Sequence, residues 1–219
     1  MQTWLNEVVA DILEVKWYTW VIVAALIVMA IVLVRAGRKT KWNSRRLASA
    51  AMCVAIAFVL SGIRLFRLPQ GGSITAFSML PLILFAVAFG PLQGAVAGCA
   101  YGILQLIQDP YVIHPLQLLV DYPFAFGALA LGGLVNFIPV KDSFKLPLAV
   151  VLATFGRYAM AVVSGTVFFA EYAPVGQSAL FYSLGSNIGY LGPDALLCLI
   201  AAFIPTVQRL TGVMKSGRG

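Results

Sequence analysis

Apolar residues along this chain form long runs that are separated by short polar connections. Most of the runs approach the ~20 residues that a helix needs to cross a bilayer, and together they predict seven membrane-spanning helices. The runs cover approximately residues 17–34, 47–62, 76–89, a fourth stretch that begins at residue 90, 118–137, 146–169 and 180–204. The third run is short and contains Pro81, which is consistent with a helix that is bent or embedded among others, and Gly192 and Pro193 predict an interruption in the last helix.

The composition supports the same interpretation. Of the 219 residues, 61% are hydrophobic and only 11% are charged, whereas an ordinary soluble domain has about 45–50% apolar and 25% charged residues. The mean hydropathy is +0.92. These values exclude a water-soluble fold and predict an all-α polytopic membrane protein.

The net charge of +7 is distributed in a way that indicates topology and not nucleic-acid binding. Eleven basic residues fall on one side if the apolar runs are spans, as expected of a cytoplasmic face. They are Arg35, Arg38, Lys39, Lys41, Arg45, Arg46, Lys141, Lys145, Arg209, Lys215 and Arg218. We therefore expect a multi-pass protein of the cell membrane with its N-terminus outside and its C-terminus in the cytoplasm.

Three regions follow from this pattern. Residues 1–44 hold an amphipathic segment, an extra transmembrane helix and a basic linker. Residues 45–206 form a six-helix membrane domain, and residues 207–219 form a basic cytoplasmic tail. Between the first two core helices, Pro69, Gly71 and Gly72 interrupt helical structure and predict a loop or a hinged lid.

Small residues recur at helical spacing in two places. Ala51 and Ala55 form a small-xxx-small pair that allows close approach of another helix. Four glycines follow at a spacing of four, and we expect them on one face of a single helix: Gly90, Gly94, Gly98 and Gly102. Packing within the chain is the simpler use of this stripe, and a partner interface is the alternative.

Charged residues inside spans are costly and usually face the interior of the bundle. Asp121, Arg157 and Asp194 have this placement. An ion pair between Arg157 and Asp194 is a structural explanation for two of them. Asp121 has no basic residue at its depth, and it is therefore the best candidate to meet a cationic ligand.

Aromatic, acidic and amide residues accompany Asp121 at the predicted outer helix ends. They include Tyr122, Phe169, Glu171, Tyr182 and Asn187. Aromatic faces combined with carboxylates suit a flat cationic organic molecule, through stacking and cation–π attraction. The alternative is an interfacial belt of aromatic residues, which forms for reasons of lipid contact.

Signatures of catalysis and of metal binding are not found in the sequence. The single histidine, His114, lies between prolines in a loop, where a role at the rim is favoured over catalysis. No metalloprotease, hydrolase or nucleotide-binding motif occurs. We expect no catalytic residue, metal or cofactor.

Three segments nevertheless resemble a known family. They are PQGGSITAFSMLPL (69–82), GCAYGILQLIQDPYVIHPLQLLVDYPFAFGALALGG (98–133) and FFAEYAPVGQSALFYSLGSN (168–187). They are similar to the thiamine-specific substrate-binding (S) subunits of energy-coupling factor (ECF) transporters, the ThiT/YuaJ family. The resemblance covers about residues 45–206.

The resemblance implies a six-helix membrane subunit that binds thiamine near the outer face. It also implies docking on an ECF transmembrane subunit and two ABC-type ATPases, which would carry out all ATP hydrolysis. Asp121, Tyr122, Tyr182 and Asn187 match ligand-site residues of the family, Phe169 falls at a stacking position, and Ala51 and Ala55 match a docking motif. Glu171 adds negative potential, and Arg157 completes the candidate site.

Two positions depart from the family pattern. Ala161 stands where the family has a ligand-site histidine, and Gly72 stands where some members have a tryptophan. The alternative ligand is therefore another small vitamin or a thiamine precursor. A membrane enzyme or a structural membrane protein without a transport role is the alternative from another class.

Overall fold

The computed structural model describes residues 42–67 and 72–216. The predicted first span and the amphipathic segment before it lie outside these residues, as do Pro69, Gly71 and the last three residues. The limits predicted for the three regions therefore stay predictions.

Seven helices and one hairpin make up the described structure. The helices are α1 (Ser44–Gly62), α2 (Leu80–Phe89), α3 (Pro91–Gln108), α4 (Pro115–Phe137), α5 (Asp142–Phe168), α6 (Ala179–Ala202) and α7 (Pro205–Ser216). The strands β1 (Arg64–Arg67) and β2 (Ser73–Thr75) pair antiparallel between α1 and α2. Four of the helices, α1, α4, α5 and α6, are long and apolar enough to cross a membrane, and the prediction of an all-α membrane fold is confirmed.

The first six helices alternate in direction, so that their connections gather at two ends. At one end the Arg45 guanidinium donates to the carbonyl of Ser216, and Gln208 donates to that of Ser143. At the opposite end Arg64 pairs with Asp109, and His114 stacks on Phe168. The starts of α1 and α5 thus meet α7, whereas the hairpin meets the α3–α4 and α5–α6 connections.

Helix α2 is the centre of the core. It is only 10 residues long, and its residues from Leu80 to Ala88 are all buried. A helix that is apolar on every face requires neighbours on every face, and α1, α3, α4 and α7 all pack against it. Pro81 occupies the first turn, where its missing N–H costs no helical hydrogen bond. Of the two alternatives for this short helix, the structure shows the embedded one.

The glycine stripe packs α3 against α4. A Cβ atom on Gly98 would collide with the carbonyl oxygen of Phe126, and one on Gly102 would collide with that of Tyr122. Packing within the chain is thus confirmed for this stripe. Gly90 does not belong to it, because it lies between α2 and α3 with a φ of 99°, and a Cβ added there would meet no atom within 4 Å among the described residues.

Helix α4 is irregular where α3 approaches it. A first α-helical turn is followed by a π-helical segment, Val120–Phe124, and the final part, Ala128–Phe137, is 3-10 helix. Pro123 lies inside the π segment and has no N–H to donate. Such π segments are frequent at functional sites, and this one carries Asp121 and Tyr122.

One prediction needs correction: helix α6 runs without a break through Gly192 and Pro193, so the predicted interruption is absent. The connection between α1 and α2 contains two paired strands that were not predicted, in which Arg64 faces Thr75 and Phe66 faces Ile74 with an irregular register between them. The alternation of apolar and polar residues in these short strands extends over too few positions to distinguish two strands from a loop. Pro69 and Gly71 lie outside the described residues, so the loop or hinged lid stays a prediction.

We predict that Gly102→Ala lowers the stability of the detergent-solubilised protein. The new methyl group would press on the Tyr122 carbonyl, and such overpacking costs about 1–3 kcal/mol. Thermal unfolding measures the effect. Gly189→Ala on α6 is the matched control because its Cβ meets open space; equal melting temperatures for the two variants would contradict the tight α3–α4 contact.

Candidate ligand-binding site

A cavity of about 270 Å³ lies among α3, α4, α5, α6 and the hairpin. Six of the seven candidate binding residues border it: Asp121, Tyr122, Arg157, Phe169, Tyr182 and Asn187. Gly72 of the predicted lid also borders it. Glu171 is exposed and is not part of this lining.

The Asp121 carboxylate is held by its neighbour one turn earlier on α4. Gln117 is 1% exposed, and its Nε2 donates to Asp121 Oδ2 at 2.5 Å and to the Tyr111 carbonyl at 3.0 Å. Its Oε1 accepts from the N–H of Ile113 at 3.2 Å. Gln117 therefore fixes the carboxylate and the α3–α4 connection together.

Tyr122, which lies in the π segment, also makes hydrogen bonds to the α3–α4 connection. Its hydroxyl donates to the Asp109 carbonyl and accepts from the Tyr111 N–H, both at 2.9 Å. The carboxylate of Asp109 pairs with Arg64 of β1 at 3.0 Å. The hairpin, the connection and the acid-bearing segment of α4 thus form one hydrogen-bonded unit.

Three aromatic residues close one end of the cavity. The rings of Tyr111 and Phe169 are stacked at 6.0 Å with an angle of 17° between their planes, and Tyr172 lies 5.9 Å from Phe169. The hydroxyls of Tyr111 and Tyr172 are 3.3 Å apart. This hydrogen bond, followed by burial, raises the pKa of Tyr111 above its usual value.

Helices α5 and α6 form the opposite wall. A Cβ atom on Gly165 would collide with Ser183 Oγ, so only glycine allows the observed approach of the two helices. The side-chain nitrogen of Asn187 donates to the Ala161 carbonyl at 3.3 Å and to the carbonyl and hydroxyl of Ser183 at 2.8 and 3.0 Å. These three acceptors fix the orientation of the amide, and its oxygen is the part that remains available to a ligand.

The two other charged residues of the predicted spans, Arg157 and Asp194, do not form the ion pair that their sequence positions suggest. Within the described residues, Arg157 and Asp194 make no salt bridge with each other. Instead, the Arg157 guanidinium lies 4.3 Å above the ring of Phe126, and Asp194 Oδ2 accepts from Thr75 of β2 at 2.9 Å. Arg157 Nη1 and Asp194 Oδ1 are buried and have no hydrogen-bond partner among the described residues.

The hairpin is also seated on α6 through Gly72. This residue has a φ of 82°, and a Cβ there would lie 3.2 Å from the ring of Tyr190. Together with the Thr75–Asp194 hydrogen bond, this contact places β2 over the wall of the cavity.

Sequence reasoning missed several lining residues. Gln117, Tyr111, Tyr172 and Ser164 border the cavity, but their types and spacing form no recognisable motif. The one signal for Gln117 is its position four residues, or one helical turn, before the intramembrane acid Asp121. His114, for which a loop or rim role is predicted, lies at the start of α4, where its Nδ1 accepts from the Leu116 N–H and caps the helix.

Comparison with known proteins identifies the family. Residues 47–213 match the model of the thiamine transporter protein family, Thia_YuaJ. The chain belongs to this family. The thiamine transporter ThiT of Bacillus subtilis is 38% identical over 168 residues, which cover 71% of this chain and 86% of that protein.

Two more proteins named ThiT are similar to the chain. The thiamine transporter ThiT of Lacticaseibacillus paracasei is 29% identical over 77% of this chain and 89% of its own length. A solved structure of ThiT from Listeria monocytogenes superimposes with a TM-score of 0.58 at 24% identity, covering 80% of this chain and 96% of the other. The latter shows that the fold is shared.

We predict that Tyr122→Phe loosens the α3–α4 connection of this Thia_YuaJ family member. The change removes the hydroxyl that bonds to the Asp109 carbonyl and to the Tyr111 N–H, and a typical hydrogen bond of this kind contributes about 0.5–1.5 kcal/mol. Hydrogen exchange at residues 109–113 should accelerate. Tyr172→Phe, which loses one exposed hydrogen bond, is the control, and unchanged exchange in Tyr122→Phe would refute the assigned role.

Proposed function

We propose that the chain is the thiamine-binding subunit of an ECF transporter and that the cavity beside Asp121 is its thiamine site. The observation that carries the proposal is the placement of a buried carboxylate within a cavity lined by aromatic rings. Membership of a transporter family supports transport over the enzymatic or structural alternative. The volume of about 270 Å³ lies just below the ~300–1,000 Å³ that small-molecule pockets occupy, as expected for a small ligand.

The chemistry of thiamine agrees with the residues around the cavity. Its thiazolium ring is a permanent cation, for which Asp121 supplies the opposite charge. Its two flat rings suit the faces of Phe169 and Tyr182, which both border the cavity. The amino group on its pyrimidine ring is a donor, and the oxygen of Asn187 is an available acceptor.

Arg157 has a separate role in this proposal. Its Nη1, which has no partner among the described residues, donates a hydrogen bond to the hydroxyethyl oxygen of thiamine. The stack on Phe126 holds the guanidinium through attraction to the face of the ring.

We expect Asp121→Asn to weaken thiamine binding by about 1–3 kcal/mol, because the cation loses a partly desolvated charge partner. Titration of purified protein, followed by intrinsic tryptophan and tyrosine fluorescence, measures the affinity. Glu171→Gln is the matched control. Glu171 is exposed, so in our proposal it acts only through long-range potential, and its loss should have a small effect that disappears at high salt.

An unchanged affinity in Asp121→Asn would remove this residue from the site. Absence of saturable binding at micromolar thiamine would overturn the thiamine assignment itself. The second candidate is another small vitamin or a thiamine precursor, and Ala161 favours it because this lining residue offers no polar side-chain atom. A pyrimidine or thiazole precursor that binds more tightly than thiamine in the same titration would establish that candidate.

The proposed assembly with an ECF transmembrane subunit and two ATPases rests on α1. Ala51 and Ala55 are exposed on this helix, next to Met52 and Ile56, which are 63% and 45% exposed. A surface with small residues set among larger ones permits close helix packing in a bilayer. The basic end of the bundle then faces the cytoplasm and the aromatic end of the cavity faces outside, with the N-terminus outside and the C-terminus inside.

We predict that replacing both Ala51 and Ala55 by leucine prevents co-purification of the tagged chain with an ABC-type ATPase pair. The added bulk would hold a partner helix away, whereas thiamine binding should be retained because neither residue borders the cavity. Gly185→Leu adds bulk to open space on α6 and serves as the control. Normal co-purification of the double variant would place docking elsewhere.

A further inference from the structure

Ser164 of α5 is a cavity residue that has no part in the proposed function as described so far. It is 1% exposed, and it borders the cavity together with Asp121. Its Oγ interacts electrostatically with the Asp121 carboxylate, but no described residue makes a hydrogen bond of standard geometry with it. A buried hydroxyl without a partner costs about 1–3 kcal/mol, so a polar site that leaves one open is expected to satisfy it with a bound molecule.

Other hydroxyls of α5 show that the helix itself offers a simpler solution. Thr154 Oγ1 donates to the Val150 carbonyl at 2.8 Å, and Thr166 Oγ1 donates to the Val162 carbonyl at 2.7 Å. Both use the acceptor four residues earlier, which is the usual partner of a hydroxyl inside a helix. Ser164 does not use this acceptor, and its hydroxyl therefore remains available on the cavity side.

The surroundings keep this hydroxyl in place. The adjacent Gly165 allows α6 to approach so closely that a Cβ would collide with Ser183 Oγ. Ser183 Oγ in turn donates to the Val162 carbonyl at 3.0 Å. Ala161 lies one turn before Ser164 and carries only a methyl group, so the neighbouring position on that face of α5 offers the hydroxyl no polar partner.

Asp121 and Ser164 differ in what they accept and donate. An ionised carboxylate only accepts hydrogen bonds, whereas a serine hydroxyl also donates one. An acceptor next to a donor complements a ring nitrogen that adjoins an amino group, which is the edge presented by a 4-aminopyrimidine. We propose that Ser164 is a specificity-determining residue of the thiamine site, and that its hydroxyl donates to the pyrimidine nitrogen next to the amino-bearing carbon. One N–H of the amino group then donates to Asp121, whose negative charge also balances the thiazolium cation, and the other N–H donates to the oxygen of Asn187.

This inference rests on the proposed function, and its test separates the two. Affinities are measured for thiamine and for an analogue in which that one pyrimidine nitrogen is replaced by C–H. The proteins are the intact wild-type chain, Ser164→Ala and Thr166→Val. Thr166 is the matched control because its hydroxyl bonds within α5 and does not border the cavity. Thermal unfolding confirms that each variant is folded.

The expected result is a loss of thiamine affinity of about 3- to 10-fold in Ser164→Ala, which corresponds to one neutral hydrogen bond. The wild type should discriminate against the analogue by a similar factor, and Ser164→Ala should bind both ligands equally. Thr166→Val should behave as the wild type does.

Other results overturn the inference. If Ser164→Ala binds thiamine as the wild type does, the Asp121 carboxylate or an internal water satisfies the hydroxyl, and Ser164 has no role in recognition. If the variant weakens both ligands and still discriminates between them, Ser164 does not contact that nitrogen. If the wild type binds thiamine and the analogue equally well, the assigned edge of the pyrimidine is wrong. If the wild type binds no thiamine, the proposed function fails together with this inference.

Discussion

The close approach of α3 to α4 is the contact on which the candidate site depends. Gly98 and Gly102 have no Cβ, and this absence lets α3 lie against the backbone of residues 122–127. The part of α4 in contact is a π segment that contains Pro123. The irregular turn positions both acidic and aromatic residues: Asp121 borders the cavity, and Tyr122 makes hydrogen bonds to the α3–α4 connection. A side chain at either glycine would separate the helices and move both residues.

A second dependence links the cavity to the end of the bundle at which it opens. Tyr122 and Gln117 bond to backbone atoms of residues 109–113, and Arg64 pairs with Asp109. The hairpin reaches across to α6 through Thr75 and Gly72. The residues that surround the cavity are therefore coupled through hydrogen bonds, so displacement of the hairpin from α6 would be transmitted to the segment that holds the Asp121 carboxylate.

Much of this architecture was predictable because membrane proteins have a strong and simple pattern. Apolar runs locate spans from length alone, and the glycine spacing located the α3 packing face, except for Gly90. The irregularity of α4 and the continuity of α6 were not predictable in the same way. Pro123 and Pro193 are both inside helices, but only the tertiary contacts decide which one accompanies a change of helix type. The hairpin was missed because three or four residues carry too little alternation.

The site itself divides into a part that the sequence revealed and a part that required coordinates. The sequence alone indicated Asp121, because a single charge in a membrane span is unusual. It did not indicate that Arg157 stacks on Phe126 and forms no ion pair. The polar residues around them separate by use. Gln117, Ser183 and the Asn187 nitrogen are satisfied by protein acceptors, which makes them supports that hold the wall rigid. Ser164 Oγ and Arg157 Nη1 find no such partner among the described residues. The supporting residues are already ordered before a ligand arrives, so binding carries no entropic cost of ordering them. The two remaining donors would gain hydrogen bonds that the surrounding helices do not supply.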